Sequence, residues 1–171
     1  MIKQAAILVL LAAILGLGVN LVSPNKIAYV GSYRTLSGGN DPIVPPAAAP
    51  GDPPFIGLDV AQLEFNAGGA VFIDARETEE FDCGTIPGAV NIPFEHLPDL
   101  PLAPYFDSAL SGAGKDQHLI TFCSGDECDL SLHLSRNLQA CGYNRLSIFF
   151  GGAREWENAG LPVERRRHCD D

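Results

Sequence analysis

The stretch "HLITFCSGDECDLSLHLSRNLQACGY", His118 to Tyr143, holds the strongest clue to the fold. It opens on an apolar run of strand length that ends at Cys123. It then crosses a loop crowded with Asp126, Glu127 and Asp129 around a second thiol, Cys128. From there Leu130, Leu134, Leu138 and Cys141 recur on one face of a predicted helix that stops at Gly142. A strand ending in cysteine with a helix close behind it turns loop and helix N-terminal N–H groups onto the sulfur, a cradle for a thiolate or a bound anion. In open α/β sheets ligands bind at the carboxyl ends of strands, so Cys123 is expected to be exposed at such a rim.

Outward from this stretch the same alternation continues. "DVAQLEFNAGG" places Val60, Leu63 and Phe65 near helical spacing and stops at Gly68 and Gly69, and "AVFID" reads as a buried strand. "RETEEF" reads as a short helix before Gly84, "GAVNIP" and "RLSIFF" as further strands, and "GGAREWENAGLP" follows the last of them. Strands alternating with helices predict a parallel sheet covered on both faces. With 171 residues and 46% hydrophobic content there is room for one core.

The formal net charge is −10, concentrated after residue 54, which argues against nucleic acid as a partner. Ala5 to Val22 is an uncharged apolar run that as a helix would span about 27 Å, close to the hydrocarbon thickness of a bilayer. It predicts a transmembrane anchor over residues 1–22, with the apolar part of a signal peptide as the other reading. Residues 23–54 read as a linker. Their stretch "NDPIVPPAAAPGDPP" holds six of the 13 prolines and suits a semi-extended tether of about 40 Å. The folded domain is then expected over residues 55–168. The side of the membrane is open, because Lys3 stands on one flank and Lys26 with Arg34 on the other. By analogy with short-headed anchors, a bacterial inner membrane with the domain outside the cytoplasm is expected.

Over roughly residues 55–165 the chain resembles the rhodanese-like sulfurtransferase domains. The matching stretches are "VFIDARETEEFDCGTIPGAVNIP" (Val71 to Pro93), "LITFC" ending at Cys123, and "GYNRLSIFFGGAREWENAGLPVE" (Gly142 to Glu164). The resemblance implies an α/β domain with a central, mostly parallel, five-stranded sheet flanked by helices. It implies that Cys123 stands where the family forms its persulfide, with a small sulfane-sulfur donor and a thiol acceptor as partners and no cofactor. Asp74 and Arg76 match the family's D-x-R pair, Gly88 the glycine of its "IPGA", and Gly151, Gly152 and Trp156 its "GG…W"; all are expected to be structural. Two departures stand out. Thr85 replaces the histidine usual before "IPGA", and the loop "CSGDECDLS" is longer than usual and has no basic residue before His133. The arginine that would grip an oxyanion bidentately is missing.

Without a cation, the backbone of Ser124, Gly125, Asp126, Glu127 and Asp129 must form the substrate-binding cradle, while the three carboxylates point outward and cap the helix. A free thiol titrates near about 8.5, so Cys123 should be only moderately acidic and should favour neutral or thiol-borne donors over thiosulfate. Cys128 is either a resolving thiol for Cys123 or a small apolar residue under the helix start. Cys141 reads as core, Cys83 as an exposed turn residue, Cys169 as a tail thiol with no evident partner, and His133 as a surface helix residue. Five cysteines leave at least one thiol unpaired or bridging chains, and their spacing is not that of a zinc site. Three functions fit: a membrane-tethered sulfurtransferase, a redox module cycling a Cys123–Cys128 disulfide, or a non-catalytic domain that binds a membrane or redox protein.

Overall fold

The computed structural model describes residues 41–125 and 128–169. The anchor expected over residues 5–22, the rest of the chain before residue 41, and Asp126 and Glu127 lie outside the described residues. Among the described residues no helix is long and apolar enough to cross a membrane.

The elements follow the expected alternation: α1 (Leu58–Ala67), β1 (Ala70–Asp74), α2 (Thr78–Cys83), β2 (Val90–Asn91), a 3-10 turn (Phe94–His96), α3 (Ala103–Ala109), β3 (His118–Phe122), α4 (Leu130–Ala140), β4 (Leu146–Phe149) and α5 (Gly152–Asn158). The strands form one sheet in the order β2-β1-β3-β4, with every pair parallel. Asp74 lies opposite Phe122, and Phe122 opposite Phe149, so the three longer strands end level and their following turns share one rim.

The sheet has four strands among the described residues, not the five expected. What would be the fifth is reduced to an isolated parallel bridge between Phe55 and Ile148, with Ile148 N–H bonded to Pro54 O and Ile56 N–H to Ile148 O, both at 2.9 Å. Pro53 and Pro54 bring no N–H to a ladder, and α1 begins at Leu58, so pairing has no room to extend.

Alternation along the strands sends side chains into two cores. Val71, Ile73, Leu119 and Cys123 pack with Phe106 of α3 and Leu134 and Leu138 of α4. Phe72, Ile120, Phe122 and Phe149 pack with Ala61 of α1, Phe81 of α2 and Trp156 of α5. The buried stripe of α1 is not the one expected. Val60 and Leu63 are 38% and 68% exposed, whereas Ala61 is fully buried between Leu58 and Phe65, which also touch the core. The helix carries two apolar stripes, and only the one spaced i, i+3, i+7 meets the sheet. Helix α3, in a proline-rich stretch where no element was expected, closes the other core with the fully buried Phe106.

Residues 41–54 lie along α4 instead of reaching away from it. Asp52 accepts hydrogen bonds from Arg136 Nε and Nη2 at 2.7 and 2.8 Å, Arg136 also donates to Ala47 O, and Gln139 donates to Gly51 O. Ile43 joins Phe55 against Leu132, Ile148 and Phe150. At the other end, Glu164 pairs with Thr85 as an isolated antiparallel bridge, and Arg166 and Arg167 donate their N–H groups to Asp82 O. A disulfide joins Cys83 to Cys169, with Cα atoms 5.5 Å apart. Cys83 is therefore not merely an exposed turn thiol, nor is Cys169 without a partner. The return of the chain end to α2, invisible in sequence spacing, brings the two together.

Candidate active site

Cys123 follows the last residue of β3, and the loop after it runs beneath the first turn of α5. Two hydrogen bonds fix that loop: Ala153 N–H donates to Cys123 O at 2.8 Å and Arg154 N–H to Ser124 O at 3.1 Å. With these carbonyls turned to α5, the loop's own N–H groups are left for the sulfurs. The approach is close enough to require glycine on both sides. Gly125 has φ 116°, and a Cβ there would stand 2.5 Å from Gly151 O. Gly152 has φ 65°, and a Cβ there would collide with Cys123 O and lie 2.6 Å from Gly125 N.

The structure corrects the expected exposure of Cys123. Its side chain is fully buried, with Sγ–H donating to Cys128 O at 2.9 Å and Sγ lying 3.6 Å from Ser131 Oγ. Cys128 is half-buried and packed at the edge of the core, close enough to Cys123 for the two thiols to alter each other's acidity. Both are free thiols.

The pair divides its acidity unevenly. The hydrogen bond from Cys123 favours a thiolate on Cys128 and outweighs partial burial, while N–H groups of Leu130 and Ser124 and the Ser124 hydroxyl add to it; the Cys128 pKa is lowered to about 6. Interaction with Cys128, followed by burial, pushes Cys123 far up, against smaller help from the Gly125 N–H and Ser131. The N–H groups of Ser124 and Gly125 are divided between the two sulfurs, Ser124 serving Cys128 and Gly125 serving Cys123. Asp129 occupies the position before α4 without making a side-chain capping bond, contrary to expectation; its carbonyl accepts the His133 N–H.

The residues read as structural surround this loop. Asp74, fully buried, accepts two bonds from Arg76 Nε at 2.9 and 3.2 Å and one from Nη2 at 2.6 Å, and Nη2 also donates to Gly84 O. Burial opposes the Arg76 charge, yet the bonds and charge of Asp74 raise its pKa above the ordinary value. Thr85 donates its hydroxyl proton to Asp74 Oδ2 at 2.8 Å, completing a buried network that braces the rim beside the thiols. Gly88, with φ 76°, donates its N–H to Glu164 Oε2, and Trp156 donates Nε1–H to Pro162 O at 2.8 Å beneath the edge of Phe65.

Sequence reasoning missed Ser131, Ser135 and Thr121. Ser131 and Ser135 are both fully buried, and Thr121 Oγ1 donates to Ser131 O and contacts Ser135 Oγ at 2.8 Å. Two serines at i and i+4 among leucines were the available signal. Cys141 touches the same core from its edge, and exposed His133 stacks on Phe94 with ring centroids 5.6 Å apart. Among the described residues no cluster of three or more His, Cys, Asp or Glu could hold a metal ion.

A parallel α/β domain with a thiol at the end of a central strand, seated in a backbone cradle tied to a Gly-Gly turn, defines the class. The rhodanese-like domain profile matches residues 58–159, and the chain belongs to that family. It is 36% identical over 109 residues to a human thiosulfate:glutathione sulfurtransferase, covering 60% of this chain and 92% of that protein. It is 32% identical over 98 residues to an HTH-type transcriptional regulator of Mycobacterium tuberculosis, covering 57% of this chain but only 39% of the regulator's length. Among solved structures it resembles the Escherichia coli 3-mercaptopyruvate sulfotransferase SseA, at 27% identity and TM-score 0.57, covering 64% of this chain and 50% of that one.

Proposed function

We propose that the chain is a rhodanese-type sulfurtransferase that carries sulfane sulfur as a persulfide on Cys123 and passes it to a thiol acceptor. The carrying observation is the thiol pair at the carboxyl end of β3, in a loop whose carbonyls are drawn off by α5 and whose N–H groups meet the sulfurs. The loop has no cation to hold a dianion, so neutral or thiol-borne persulfides are the preferred donors, with thiosulfate turned over slowly.

The test is mass spectrometry of the full chain after incubation with thiosulfate or polysulfide. A gain of one sulfur atom at the thiol pair supports carriage, and Cys123→Ser should abolish transfer with the fold intact. Two free thiols five residues apart, with Cys123 Sγ–H bonded to Cys128 O, favour a second reading, a dithiol–disulfide cycle, which would appear as the loss of two hydrogens. No change under either donor would leave a domain that binds a membrane or redox protein.

The proposal includes a membrane tether through residues 5–22 with the domain outside the cytoplasm. The Cys83–Cys169 disulfide supports that side, because structural disulfides persist in oxidising compartments. Fractionation with impermeant maleimide labelling tests it. A product released into the soluble fraction removes the tether, and labelling only after lysis removes the side.

A further inference from the structure

We infer that sulfur enters this site at Cys128 and moves from there to Cys123, so that the half-buried thiol is the port and the fully buried one the store. This inference rests on the sulfurtransferase reading.

Access is the first argument. Cys123 is fully buried, its Sγ–H is held by Cys128 O at 2.9 Å, and Ser131 Oγ lies 3.6 Å from its sulfur, so Cys123 offers no open surface to a donor. Cys128 keeps part of its surface open, at the same rim of the sheet. Activation is the second. The attacking species is a thiolate, and the hydrogen bonds that favour one converge on Cys128, from the Ser124 and Leu130 N–H groups, the Ser124 hydroxyl and the Cys123 thiol itself.

The steps balance without an oxidant or reductant. The Cys128 thiolate attacks the outer sulfur of a persulfide R–S–SH; the Cys128 S–S bond forms, the donor S–S bond breaks, and the donor leaves as its thiolate. Cys123 then attacks the outer sulfur of the Cys128 persulfide. A Cys123 S–S bond forms, the Cys128 bond to that sulfur breaks, Cys128 receives the electron pair, and the Cys123 proton, held at Cys128 O in the resting pair, passes to the Cys128 sulfur. Delivery reverses the relay: sulfur returns to Cys128, where an acceptor thiolate removes it.

The experiment loads wild type, Cys123→Ser, Cys128→Ser and Cys128→Ala with glutathione persulfide, quenches by alkylation, and maps the modified peptide over time. Cys123→Ser should trap the sulfur on Cys128 and lose it to added thiol about tenfold faster than wild type loses its own. Both Cys128 variants should load Cys123 at least about tenfold more slowly than wild type. Loading of Cys123 at the wild-type rate in a folded Cys128 variant overturns the port, as does a Cys123→Ser protein that takes no sulfur while wild type does. Iodoacetamide gives a readout independent of sulfur chemistry: Cys128 should be alkylated before Cys123, and the reverse order also overturns the assignment. If wild type gains no sulfur, the sulfurtransferase reading and the relay both fail; Cys128-first alkylation would then show that the chemistry failed and not the geometry.

Discussion

Breaking the Cys83–Cys169 disulfide should be the largest single loss of stability available at the surface of this domain. The bond joins residues 86 apart in sequence. In the chain-entropy account, a loop of that length removes about 15 cal/mol/K from the unfolded chain, or about 4.6 kcal/mol at 25 °C. The folded state loses little in exchange. Without the bond, the tail still holds Thr85 through Glu164 and the Asp82 carbonyl through Arg166 and Arg167. An expected loss of about 3–4.6 kcal/mol, at about 4 °C per kcal/mol for a domain of this size, lowers Tm by roughly 12–18 °C. Thermal denaturation followed by far-UV circular dichroism should show this drop for wild type in reductant and for the Cys83→Ser/Cys169→Ser double variant. Reductant should not lower the double variant further, because the described cysteines outside this pair are free thiols already. Equal Tm values for the oxidised wild type and the double variant, or a peptide map pairing either cysteine with Cys123, Cys128 or Cys141, would refute the reasoning.

Trp156→Ala removes a side chain that is 1% exposed and meets Phe65, Phe72 and Phe149; a loss of about 3–5 kcal/mol in chemical denaturation is expected, while a loss below about 1 kcal/mol would contradict the packing. Gly152→Ala forces a Cβ into the Cys123 carbonyl, so sulfur loading should fall sharply even in protein that remains folded; wild-type loading would deny the loop its tie to α5. The Asp52 carboxyl is lowered from 3.8 to about 2, chiefly by its hydrogen bond with Arg136. A depressed carboxyl stabilises the fold fully above its unfolded pKa and loses that contribution as pH falls through the folded one. Residues 41–54 should therefore stay docked above about pH 4 and loosen towards pH 2. Hydrogen exchange at the Ala49 amide, which donates to Asp52, reports this, and Arg136→Ala should give the loosened state at neutral pH.

The strands were legible because β1 and β3 are buried on both faces and read as short apolar runs ending at Asp74 and at Phe122. The stripe of α4 was legible because Leu134 and Leu138 recur at helical spacing, whereas α1 offered two stripes and sequence alone cannot say which meets the sheet. The loop was half legible. That backbone N–H groups would serve the sulfur followed from a strand, a cysteine and a helix in close succession. Which sulfur lies buried depends on how the chain turns at Ser124 and Gly125, and that turn is held from far along the chain by Gly151 and Gly152. The disulfide was hidden for a related reason: its partners meet only because the chain end turns back along Thr85 and Asp82.

The grip of α5 on the carbonyls of Cys123 and Ser124 separates two kinds of information along the chain. The contour of the loop is written chiefly in a pair of glycines and a helix start, while its reactivity is written in two sulfur atoms, one of which adds a tie of its own to Cys128 O. Either could be erased without the other. A descendant with both thiols replaced would keep the glycine-set turn and the N–H donors of Ser124 and Gly125, a starting point for a receptor for a carboxylate or phosphate. One that kept its thiols and exchanged Gly152 for a larger residue would hold reactive atoms with nothing to aim them.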